Sequence, residues 1–82
     1  MASESSLSEH LRTYISEVVI IKLRGGRSIR GKLLDFDQYM NLVIQDAVEH
    51  SDSEGNGLGN NGLGTILLRA DNILIIAIES SI

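Results

Sequence analysis

The sequence predicts a mostly β domain in which one short N-terminal helix precedes a small, strongly bent antiparallel barrel of five strands. Three observations carry that expectation. Apolar residues recur at helical spacing only once, close to the N-terminus. From Val18 onward the chain turns to runs of β-branched and aliphatic residues, separated by short turn segments and one longer Gly- and Asn-rich stretch. No helical pattern alternates with these runs, which argues against a parallel sheet and leaves a bent antiparallel barrel as the natural closure.

Residues 1–6 read as a loose tail. Ser6 and Glu9 have the S-x-x-E spacing of a capping box, in which each side chain takes up a free N–H of the first turn. Leu7, Leu11, Tyr14 and Ile15 follow at i, i+4, i+7 and i+8, so residues 7–16 are expected to form a helix with one apolar stripe. Val18 to Arg24 is the first strand, and Gly25-Gly26 offers two positions that tolerate the positive φ of a tight hairpin turn. Arg27 to Asp37 returns as the second strand. Gly31 inside it marks a sharp bend or a close backbone approach. Tyr39 to Glu49 is the third strand. His50 to Gly64 is dense in Gly, Asn, Ser and acids, a composition that buries too little apolar surface to order itself, and it reads as a flexible surface loop. Thr65 to Arg69 and Asn72 to Ile78 are the fourth and fifth strands, joined by a very short turn around Ala70-Asp71.

A chain of 82 residues makes one domain, 1–82, and buries only about 60–65% of its unfolded surface. Domains this small usually add disulfides, a metal or oligomerisation. There is no cysteine, and the two histidines, His10 and His50, lie far apart without a set of ligands around either. No metal and no cofactor is therefore expected, which leaves oligomerisation. The last two strands support it. In Ile66-Leu67-Leu68 and Ile73 to Ile78 both alternating faces are apolar, whereas an antiparallel strand with one wet face alternates apolar and polar. Exposed at a sheet edge they would invite aggregation, so a second subunit should cover them. A head-to-tail contact of that kind closes into a ring when the rotation permits.

The lack of cysteine fits a reducing, cytoplasmic setting. The first fifteen residues are polar and carry charges of both signs, unlike a signal peptide. No apolar run approaches the roughly 20 residues that span a membrane. A net charge of −4 argues against a general polyanion binder. Five of the seven basic residues (Lys22, Arg24, Arg27, Arg30, Lys32) nevertheless fall within eleven positions. They form either a solvated hairpin face or a surface for RNA or a subunit contact. An enzyme is not expected. No Cys or Ser nucleophile sits near a base, and Gly25-Gly26 lacks the spacing and following helix of a phosphate-binding loop.

Two junctions concentrate recognition chemistry: Asp37-Gln38-Tyr39-Met40-Asn41-Leu42 and Arg69-Ala70-Asp71-Asn72. Each sets an aromatic or guanidinium plane beside an amide and a carboxylate. Such planes stack on single-stranded bases, and an Asn amide both donates and accepts along a base edge. Stacking is worth roughly 1–3 kcal/mol per base. The same residues have plainer readings, with Tyr39 in the barrel-edge core, Asn41 and Asp71 as turn formers and Arg69 in a surface ion pair.

Val18 to Glu49 resembles the first motif of the Sm/LSm family, with Gly31 in the bent strand and Asp37, Tyr39, Met40, Asn41 and Leu42 in its core. Leu63 to Ile78 resembles the second motif, with Leu63, Gly64, Arg69, Asp71, Asn72 and Ile73. The resemblance covers roughly residues 7–79, is most like the archaeal Sm-like proteins, and leaves residues 50–63 as a variable loop. It implies an Sm-like (SH3-like) barrel whose fourth strand pairs with the fifth of the next subunit, closing a ring of seven or six; archaeal members form rings of identical subunits and eukaryotic ones mixed rings, and the compact chain leans to identical subunits, seven. It also implies a uridine pocket on the inner rim, where Tyr39 stacks on the base, Asn41 bonds its edge, Arg69 packs on the other side and Asp71 braces Asn41 or Arg69. The expected partners are then U-rich single-stranded RNA and other RNA-processing proteins, with the ring acting as a scaffold or chaperone in ribonucleoproteins. The alternative is a structural ring that works through protein partners with weak RNA affinity. Ala70 stands where the family usually has glycine; a positive φ there would cost roughly 1 kcal/mol, or the turn takes another shape.

Overall fold

The computed structural model describes residues 2–51 and 61–79. Helix α1 (Ala2–Arg12) precedes strands β1 (Val18–Leu23), β2 (Arg27–Phe36), β3 (Leu42–Ser51), β4 (Asn61–Leu68) and β5 (Ile73–Ile78), and a single 3-10 turn (Ala70–Asn72) joins the last two. All pairings are antiparallel within one sheet of order β4-β3-β2-β1-β5.

The helix differs from its expected limits at both ends. It begins at Ala2, so the segment read as a tail is helical, and Ser6 lies within the helix rather than capping it. It ends at Arg12 because the next three N–H groups, of Thr13, Tyr14 and Ile15, bond to carbonyls only three residues back at 3.1, 2.9 and 3.2 Å. Thr13 Oγ1 also donates to the His10 carbonyl at 2.6 Å, and Ser16, at φ 74°, turns the chain into β1. Tyr14 and Ile15 still pack on the core beside Leu11, from the turn instead of from the helix.

Strand β1 alternates as a half-buried strand should, with Val19, Ile21 and Leu23 inside. They meet Ile29 and Leu33 of β2 and Leu42, Ile44 and Ala47 of β3 in one core. Leu23 pairs with Arg27, so Arg24, Gly25 and Gly26 make the hairpin turn, with both glycines at positive φ (87° and 77°). Gly31 is where β2 crosses closest to β3. A Cβ there would lie 2.4 Å from Ile44 Cγ2 and 2.9 Å from the Gln45 carbonyl oxygen. The β2–β3 register shifts at Gly31, between Arg30 and Lys32, and again between Leu33 and Asp35, and the β3–β4 register shifts between Ile44 and Ala47. These irregularities bend the sheet.

Strand β3 starts at Leu42 and not at Tyr39, because Asp37 holds the preceding residues in a turn. The 50–63 loop is narrower than expected: β3 runs on to Ser51, and β4 already pairs at Asn61 and Gly62. Residues 52–60 lie outside the described residues, and with them most of the expected loop. Strands β4 and β5 form the two sheet edges, each with one hydrogen-bonded neighbour. Ile66, Leu68, Ile73 and Ile76 pack on the core, while Leu67 (63%), Leu74 (57%) and Ile75 (58%) stand exposed. Both faces of these edge strands are thus apolar, and one of them is bare.

Candidate nucleic-acid interface

The turn between β2 and β3 is organised by one carboxylate. Asp37 Oδ1 accepts the N–H groups of Tyr39 and Asn41 at 2.9 and 3.0 Å, and Oδ2 accepts from Asn41 Nδ2 at 3.0 Å. Backbone bonds from Asp37 N to Asn41 O and from Met40 N to Asp37 O, at 3.1 and 3.0 Å, close the same turn. The Asn41 amide holds the Asp37 carboxyl below its usual range, and the backbone N–H groups of Asn41 and Tyr39 add to the effect. Met40 takes a left-handed φ of 69° between Tyr39 and Asn41. Tyr39 is 69% exposed, so it is not a core residue, and Asn41 is half-buried.

A second bond joins this turn to the one between β4 and β5. Asn41 Oδ1 accepts the Ala70 N–H at 2.7 Å, across 29 residues of sequence. Among the described residues the positive-φ non-glycine positions are Ser16, Met40 and Asp46, so Ala70 carries no left-handed strain. The turn has instead taken a 3-10 form that suits alanine, led in by Arg69 at φ −77° and ψ 135° with its side chain exposed. Tyr39, Asn41 and Arg69 are therefore brought to one end of the sheet by adjoining turns.

Asp71 lies in the same turn, but the brace on Asn41 is Asp37. Asp71 contributes its backbone carbonyl, which accepts from Arg24 Nε at 2.9 Å. The sequence reading did not name Asp37 as a site residue, and it placed Arg24 only in the basic cluster and not against the Asp71 turn. Asp37 had a local signal, since an Asp side chain readily bonds the N–H two residues on. The contact of Arg24 with this turn had no local signal, since Arg24 lies 47 positions from Asp71. Within the basic cluster, Arg27 pairs with Glu49 and Arg30 with Glu79, and Arg24 reaches the turn between β4 and β5. Among the described residues, no helix is long and apolar enough to cross a membrane.

The LSM domain model matches residues 9–78. This chain belongs to the LSM family. Among solved structures, the LSM chain is similar to a heptameric archaeal Sm protein at 35% identity and TM-score 0.75, over 88% of this chain and 98% of that one. It is also similar to the Sm protein of Pyrococcus abyssii in complex with a uridine heptamer, at 28% identity and TM-score 0.74, over 88% and 96%. The probable small nuclear ribonucleoprotein G of Drosophila melanogaster is 32% identical over 66 residues, 80% of this chain and 82% of that protein. The short helix and five-stranded antiparallel sheet are the Sm fold, and the LSM family is one of RNA-binding ring proteins.

Proposed function

We propose that this LSM protein binds U-rich single-stranded RNA as a closed ring of identical subunits, seven or six, and serves as a scaffold or chaperone in ribonucleoproteins. The observation that carries this reading is the fixed orientation of the Asn41 amide. An amide offers two N–H donors and two oxygen lone pairs. Asn41 gives one N–H to Asp37 and accepts one bond from Ala70 N–H, which leaves one donor beside one acceptor. Uracil presents the complement, the O4 acceptor beside the N3–H donor. Cytosine presents the reverse order and would need the amide flipped. A flip would set the amide oxygen against the Asp37 carboxylate and the NH2 group against the Ala70 N–H, so the surroundings resist it. Tyr39 and Arg69 are exposed beside Asn41 and supply the planes that sandwich the base, and Asp71 holds the turn next to Arg69.

The ring rests on the two edge strands. The bare apolar side chains of β4 and β5 and their unpaired backbone groups suit each other across a subunit boundary. Because the chain is acidic, base contacts and not bulk charge must carry affinity, and wild-type binding should survive moderate salt. The same acidity favours the second reading, a ring that acts through protein partners. Titrations with U-, C- and A-tracts decide between them. Wild type is expected to prefer U, and Asn41→Ala to lose about 1–3 kcal/mol on U-tracts and flatten the preference over C. Tyr39→Ala and Arg69→Ala should weaken all tracts more evenly. A wild-type ring indifferent to base identity would hand the function to the protein-scaffold reading.

A further inference from the structure

We propose that Arg24, in the β1–β2 turn, is a positioning residue for base selection, acting on Asn41 through the Arg69–Asn72 turn. The proposal rests on the reading of Asn41 given above and adds a residue outside both motif turns. The 3-10 turn is only three residues long. Its internal bonds are Asn72 N–H to the Arg69 carbonyl at 3.1 Å and Ile73 N–H to the Ala70 carbonyl. So short an element takes its attitude from what anchors it. One anchor is the Ala70 N–H on Asn41 Oδ1. The others come from Arg24, whose N–H donates to the Asn72 carbonyl at 3.1 Å and whose Nε donates to the Asp71 carbonyl at 2.9 Å.

The turn is thus held at its start by the amide that reads the base and at its end by Arg24. The peptide units between Ala70 N–H and the Asp71 carbonyl are contiguous, so releasing the carbonyl lets the Ala70 N–H swing. That N–H is one of the two groups that fix which way the Asn41 amide faces, beside the Asp37 carboxylate. Arg24 is itself firmly placed. Leu23 before it is paired with both Arg27 and Ile73, and Gly25 after it turns the chain at φ 87°. The backbone bond survives substitution, which makes the Nε bond the separable part.

Two variants isolate it. Gln places its Nε2 the same number of bonds from the backbone as Arg Nε, so Arg24→Gln keeps a donor and removes the charge. Arg24→Met keeps a similar length and removes the donor. Oligo(U) and oligo(C) titrations of the intact ring at two salt concentrations are the assay, with native mass and thermal midpoint confirming assembly. Arg24→Met is expected to reduce the U-over-C preference by about three- to tenfold, the scale of one side-chain hydrogen bond, with the salt slope unchanged. Arg24→Gln should stay close to wild type. In the RNA-free ring, Arg24→Met should also speed hydrogen exchange at Ala70 N–H, which Arg24→Gln should not. An even loss across U and C in both variants, with a shallower salt slope, would identify a direct phosphate contact and overturn the proposal. An unchanged U-over-C ratio in Arg24→Met, with wild type still preferring U, overturns it alone. A wild type without U preference removes the pocket reading and this proposal with it.

Discussion

Replacing Gly31 by alanine tests the bend on which the site depends. The added methyl would sit 2.4 Å from Ile44 Cγ2, 2.9 Å from the Gln45 carbonyl oxygen and 3.2 Å from Ala47 Cα. Carbon atoms normally meet at about 3.5–4.0 Å, so the first contact alone demands a separation of more than about 1 Å. Ile44 is fully buried, which blocks a simple rotamer escape, and the other two contacts are backbone. The strands must therefore part where β2 and β3 cross. Overpacking of this kind costs about 1–3 kcal/mol, and backbone contacts place Gly31→Ala at or above the top of that range. Gly26→Ala is the control. Nothing lies within 4 Å of its new methyl, so only the left-handed φ of 77° is penalised, by about 1–2 kcal/mol. Urea unfolding should be followed at a fixed protomer concentration, since assembly makes apparent stability depend on it. If Gly31→Ala unfolds at the same midpoint as Gly26→Ala or later, the close-approach argument is wrong.

The edge strands and the Asp37 turn give two more tests. Ile75 is exposed opposite Lys22 and Ile76 packs on the core, so Ile75→Asp is expected to give a folded species of lower native mass, and Ile76→Asp to lose folded signal by circular dichroism. A ring mass retained by Ile75→Asp would remove the exposed face of β5 from the subunit contact. The Asp37 pKa is depressed in the folded state, so its contribution is fully present above the unfolded carboxylate value near about 3.9 and is lost as pH falls through the lower folded value. Affinity for U-tracts should therefore stay level from neutral pH down to the unfolded carboxylate value and fall only below it, as Asp37 takes up its proton at the lower folded value, whereas Asp37→Asn, which cannot titrate, should be weak throughout. A level profile at acid pH in wild type would show that Asp37 does not orient Asn41.

Sequence patterns revealed whatever local periodicity governs. Of the stripe Leu7, Leu11, Tyr14 and Ile15, the last three turn to the core although the helix stops at Arg12, while Leu7 stands exposed. A turn of 3-10 character carries Tyr14 and Ile15 to nearly the same place as a longer helix would, so their spacing could not locate the boundary. Gly31 was legible because glycine inside a strand has few reasons to be there. The start of β3 was not, because Tyr39 is a good strand residue and it is the three bonds on the Asp37 carboxylate, with two backbone bonds, that hold it in a turn. The start of β4 was misplaced for the opposite reason. Gly62 and Gly64 look like loop residues, yet the edge strand accepts them, Gly64 at φ 75° facing Ala47.

The site divides along the same line. Tyr39, Asn41 and Arg69 could be named from residue type and motif, because each presents its own chemistry to solvent. What orients them could not, because orientation here belongs to bonds across the sheet and not to any one segment. Ala70 makes the point. As a residue it departs from the family's usual glycine, and the feature that matters is its N–H, which any residue but proline would supply at that position. The side chain is then free to vary so long as the 3-10 path is kept, and the burden shifts to the groups that keep it: Asn41 on one side and Arg24 on the other. Selectivity for a base would then follow from how firmly those two residues hold three residues of backbone, which is why substitutions at Arg24, outside both motif turns, are expected to report on it.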